Sequence, residues 1–174
     1  MFHNFVYGAL SGLSLEDGAD VTVLGHGTDG GNQSLTASGT PKQPITLINS
    51  QLVVFGAYGD IMTYIRLAED FTGRLNLIQA NLWGTPARTV EALGGAIHMT
   101  QGNISSSGSL GIVNFGADTA VSGMKFSQAN PLYDWYLDSS ARSACAFGNL
   151  YASNGGQGLK YDSAGVMRGT DFGT

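Results

Sequence analysis

Leu75-Asn-Leu-Ile-Gln-Ala-Asn-Leu-Trp-Gly84 sets the pattern that the rest of the chain repeats. Apolar and polar residues alternate at the period of a β-strand. The run then carries an amide pair, Gln79-Ala-Asn81. The same figure returns in Ile45-Thr-Leu-Ile-Asn-Ser-Gln51, in Ile97-His-Met-Thr-Gln-Gly-Asn103 and in Met124-Lys-Phe-Ser-Gln-Ala-Asn130. The second amides, Gln51, Asn81, Asn103 and Asn130, are separated by 30, 22 and 27 residues. An internal repeat of this length is the mark of stacked supersecondary units.

Outward from these stretches the chain offers about a dozen short strand-like runs and no sustained amphipathic helical window. They include Asp20–Leu24, Ile61–Leu67, Thr89–Leu93, Leu110–Phe115, Tyr133–Leu137 and Ala144–Phe147. Gly25-His-Gly-Thr-Asp-Gly-Gly31 reads as a loop and lacks the Gly-Lys-[Ser/Thr] ending of a phosphate loop. The class is all-β. A sandwich or barrel would need hairpin turns at even spacing. A parallel solenoid would bring equivalent residues back one above another, about 4.8 Å apart. The amide repeats favour the solenoid, with Asn and Gln forming side-chain ladders at its turns.

Composition narrows the function. Charged residues are 12% of the chain, while 26 of its 174 residues are glycine. Such a chain suits many strands with tight turns rather than disorder. The net charge of −5 argues against nucleic acid as a partner. No apolar run is long enough to span a membrane, and no signal peptide is visible. Cys145 is the single cysteine, so an intrachain disulfide is excluded and no cysteine-based metal site is suggested. The three histidines lack metal-ligand spacing; no metal or cofactor is expected.

The coil phrases Gly12-Leu-Ser-Leu-Glu-Asp-Gly18, Ile45–Ser50, Leu75–Asn81, Gly94–Asn103 and Val121–Phe126 resemble the right-handed parallel β-helix of the pectate-lyase-like superfamily. That group holds polysaccharide lyases, glycoside hydrolases and phage tailspikes. The resemblance implies about six coils over residues 1–156, with residues 157–174 as a terminal strand, cap or tail; Met1–Tyr7 already reads as a strand, so the chain is expected to start inside a larger fold. It also implies a polysaccharide ligand, an extracellular, cell-surface or virion setting and a trimeric assembly. The clustered aspartates of polygalacturonases and the calcium cluster of pectate lyases are missing from the sequence.

Glycoside hydrolysis needs an acid and a base or nucleophile about 5–9.5 Å apart. Glu69, Asp70 and Glu91, with Asp60, are the carboxylates that coils could bring together. Arg66, Arg74 and Arg88 are cations of the same middle coils, suited to neutralising an acidic sugar. His98 alternates with Ile97 and Met99 and would face outward as a base. Trp83, Tyr133, Trp135 and Tyr136 are candidate sugar platforms, since a ring covers the C–H face of a sugar. Trp135 and Tyr136 are adjacent, so on a strand only one of them faces outward. The expected function is a carbohydrate-active β-helix that binds a polysaccharide, with cleavage of the lyase or glycoside hydrolase type left open. The alternative is a non-catalytic structural or adhesive solenoid.

Overall fold

A computed structural model describes residues 2–9, 11–54, 63–106, 110–129, 131–152 and 158–172. The strands in chain order are β1 (Phe2–Tyr7), β2 (Ser11–Leu15), β3 (Thr22–Asp29), β4 (Gln33–Ala37), β5 (Ile45–Ile48), β6 (Gln51–Val54), β7 (Thr63–Leu67), β8 (Arg74–Gly84), β9 (Arg88–Ala92), β10 (Ala96–Ser106), β11 (Leu110–Asn114), β12 (Asp118–Phe126), β13 (Tyr133–Leu137), β14 (Ser143–Phe147), β15 (Leu150–Tyr151), β16 (Lys160–Asp162) and β17 (Met167–Gly169). No helix occurs among the described residues.

The chain alternates between two parallel sheets. One runs β1-β3-β5-β8-β10-β12-β14-β17, with β6 and β15 continuing the rows of β5 and β14 past a corner; the other runs β16-β13-β11-β9-β7-β4-β2. Each passage from the first sheet to the second and back is one turn of a parallel β-solenoid, and there are about six turns. The segment after residue 157 adds strands to both sheets, β16 on β13 and β17 on β14.

Columns of apolar side chains fill the interior. In the second sheet Leu13, Leu35, Ile65, Val90, Ile112 and Trp135 stack in register. In the first, Leu47, Leu77, Met99, Val121 and Ala146 do the same. Except for Leu13, at the end of its column, all of these are fully or almost fully buried. Burying a large apolar side chain contributes about 1.5–3 kcal/mol, so these columns hold the turns together.

The amide pair has a structural meaning. Along β8, Leu75 and Leu77 are buried while Asn76 and Ile78 face outward; the next buried residues are Ala80 and Leu82. The phase slips by one residue at Gln79, which has φ 55°. This left-handed residue is a corner, and it recurs in register at His3, Gly25, Asn49, Gln79, Gln101, Gly123 and Gly148, with φ between 44° and 68°. An L-residue there costs roughly 1–2 kcal/mol against a right-handed conformation.

Three expectations change. Most of Gly25–Gly31 is not a loop: β3 runs through the corner at Gly25 to Asp29, and only Gly30 and Gly31 lie in a bend. The fourth amide repeat is out of register, because Lys125, not Asn130, stacks on Asn103. Asn130 itself lies outside the described residues, as does Asp60. The amides also form no side-chain ladder: among the described residues Asn49, Gln79, Gln101, Gln51 and Asn81 make no side-chain hydrogen bond to one another, and only Asn103 is engaged, accepting from Ser127 Oγ at 3.0 Å.

Candidate functional site

The outer side of the second sheet carries two columns. One is Ser14, Thr36, Arg66, Glu91, Val113, Tyr136 and Tyr161; the other is Ser11, Gln33, Thr63, Arg88, Leu110 and Tyr133. Thr63 and Val113 are covered by their neighbours and fully buried. Five candidates from the sequence, Arg66, Arg88, Glu91, Tyr133 and Tyr136, share this one face.

Glu91 is almost fully buried, 3% exposed, between two guanidinium groups. Arg66 Nε donates to Oε2 at 3.0 Å and Arg88 Nη1 donates to Oε1. Both carboxylate oxygens are thus occupied. Arg88 also lies over the Phe115 ring, 5.6 Å from its centroid, a cation–π contact. Glu69, Arg88, Glu91, Leu93 and Phe115 surround an open depression of about 350 Å³. Asp70 follows Glu69 in the exposed turn after β7 and does not line it.

From Phe115 the face continues as aromatics. Tyr136 is 6.1 Å from Phe115 and 6.1 Å from Tyr133, both tilted, and stacks on Tyr161 at 4.9 Å. Tyr133 and Tyr161 are 5.8 Å apart. The cluster turns aromatic surface and phenolic hydroxyls outward together, the combination that suits a sugar's C–H face and its hydroxyl rim. Tyr161 and Phe115 were not among the sequence candidates. The signal that finds them is the turn-to-turn register, which places Tyr161 beneath Tyr136 and sets Phe115 just past β11.

Trp135 faces the other way. It is fully buried, and its Nε1 donates to Tyr151 Oη at 3.0 Å, which in turn donates to Asp171 Oδ2 at 3.1 Å. It holds the core and cannot touch a ligand, which corrects its place among the platforms. Trp83 is 37% exposed, but on the first sheet beside Asn81.

A second polar group lies on the first sheet. His98 is half-buried on the outer column; burial lowers its pKa, Arg74 adds to the effect and Asp118 opposes it. Arg142 Nη2 pairs with Asp118 Oδ2 at 3.1 Å. Lys42, Arg74, Asp118 and Arg142 line a depression of about 430 Å³. Near the first turns, buried His26 bonds Asn4 through Nδ1 at 2.9 Å, and burial lowers its pKa. No group of three or more His, Cys, Asp or Glu side chains among the described residues could hold a metal ion.

No protein-family model, curated protein or solved structure matches this chain.

Proposed function

We propose that this chain is a polysaccharide-binding β-helix of the pectate-lyase-like type, and that the outward face of its second sheet is the binding surface. The observation that carries the reading is the continuous strip from Arg66 through Glu91, Arg88 and Phe115 to the Tyr133–Tyr136–Tyr161 cluster. A strip running from turn to turn suits a long ligand better than a compact one. Its aromatic end covers sugar faces, and its arginines bond hydroxyl or acidic groups.

Recognition is better supported than cleavage. Hydrolysis needs one carboxyl group able to give a proton and another able to take one or attack. Glu91 is engaged by two arginines, which leaves Glu69 as the accessible carboxylate of the depression. The test is a screen of soluble polysaccharides scoring binding together with release of reducing or unsaturated ends. Binding without release, weakened by Tyr136→Ala, is the expected result. Release abolished by Glu69→Gln would make the strip an active site. No binding to any polysaccharide would overturn the reading in favour of a structural solenoid.

A further inference from the structure

We infer a second glycan subsite, for an uncharged sugar chain, on the amide-bearing corner of the first sheet. It rests on the polysaccharide reading for the kind of polymer, but on none of the residues of the second-sheet strip.

Three successive turns each place two amides here: Asn49 with Gln51, Gln79 with Asn81, and Gln101 with Asn103. Neighbouring turns are about 4.8 Å apart, so the amides form two parallel columns along the solenoid axis. The corner itself does not need them. Gly25, Gly123 and Gly148 make the same left-handed turn in other coils. Asn49, Gln79 and Gln101 hold it as strained non-glycine residues, and their side chains have no hydrogen-bond partner among the described residues. Backbone strain retained at exposed amides that stabilise nothing nearby is the kind of outlier that points to binding.

At one end of these columns lies an open pocket of about 420 Å³. Its floor includes Gly25 and Gly27. A Cβ on Gly27 would meet the Phe5 ring at 2.6 Å, so that ring lies against the glycine, while Phe5 as a whole remains 63% exposed. Asn49, Gln51 and Asn81 form the opposite wall. Farther along β8, Trp83 presents a second aromatic surface on the same outward side as Asn81.

The chemistry selects the ligand. Each amide offers a carbonyl acceptor and two N–H donors, which suits neighbouring hydroxyls that both give and accept protons. Phe5 and Trp83 suit the C–H faces of pyranose rings. No carboxylate, lysine or arginine lines the pocket, whose ionisable side chains are His3 and His26, and Lys125 lies at the far end of the columns, one turn beyond Asn103, so the pocket end suits an uncharged ring. The columns set the direction: an extended chain lies along the axis.

Gln79→Gly with Asn81→Ala removes two amides and leaves a glycine at the corner. The probes are soluble β-glucan, mannan and xylan, with polygalacturonate as the charged comparison, measured by titration calorimetry on the whole chain. The expected result is binding of at least one neutral glycan, weakened tenfold or more in the double variant while the thermal midpoint holds. Neutral-glycan binding that the double variant leaves unchanged overturns the inference. So does binding confined to polygalacturonate and sensitive only to Tyr136→Ala, a result that leaves the second-sheet reading standing. Neutral binding lost in the double variant and indifferent to Tyr136→Ala supports this corner and removes the strip. A melting midpoint lowered by more than a few degrees is checked with Asn81→Ala alone, which does not touch the corner residue; unchanged binding in that variant also overturns the inference.

Discussion

Tyr136 lies flat against Tyr161, with ring centroids 4.9 Å apart and planes 17° from parallel. They are partners in the register of β13 and β16, so the pairing of the two strands holds the rings in contact. A platform held in this way loses little freedom when a sugar settles on it.

Tyr136→Ala removes the ring shared by three aromatic contacts. If a sugar face on this ring contributes as much as one aromatic pair, about 0.5–1.5 kcal/mol, polysaccharide affinity should fall roughly twofold to tenfold. Titration calorimetry against the tightest glycan checks this, and Trp135 emission confirms that the fold persists.

Glu91→Gln leaves Arg66 and Arg88 without their carboxylate. Hydrogen bonds to charged groups contribute about 1.5–3 kcal/mol in protected settings. Both arginines are partly exposed, at 45% and 29% of their side chains, so a loss of about 1–2 kcal/mol is expected. Urea unfolding should show a lower midpoint at unchanged slope.

Gly123 and Gly102 separate strain from collision. At Gly123, φ is 61° and the nearest atoms to an added Cβ are 3.7 Å away, so Gly123→Ala should cost only about 1 kcal/mol. At Gly102 the Cβ would sit 2.1 Å from the Ala80 carbonyl oxygen. Gly102→Ala should therefore cost on the order of 3 kcal/mol or more, or prevent folding. Thermal melts of the two variants decide the comparison.

Burial holds the His26 pKa below 6.5 in the folded chain. The unfolded chain then takes up a proton that the folded chain resists. The stability this histidine contributes is present above pH 6.5 and is lost as the pH falls below it, toward the depressed folded value. His26→Gln should reduce the slope of the stability profile below pH 6.5, as read by urea midpoints at each pH, leaving the part that His98 contributes.

The alternation in Leu75–Gly84 and the spacing of the amides carried the solenoid, because both record the same stacking. The spacing failed at Asn130 because composition alone does not show which residue turns the corner: glycine does it at 123 without an amide. Gly25–Gly31 looked like a loop for a related reason, since a strand passing a left-handed corner needs the residue types of a turn. The site was less legible. Arg88 and Glu91 lie three residues apart on one strand, but Arg66 reaches Glu91, and Tyr136 shares their face, only because turns of unequal length return them in register, which no local window contains. For Trp135 and Tyr136 alternation required that one face inward, but not which one.

The two tryptophans occupy opposite environments, Trp135 wholly enclosed and Trp83 more than one-third open farther along β8 from the amide corner. The chain therefore carries two optical reporters. The enclosed indole follows the integrity of the coils, and the open one follows contact on the outer side of β8. An added quencher reaches the second and not the first, so one fluorescence titration can tell an occupied surface from a loosened fold without any label.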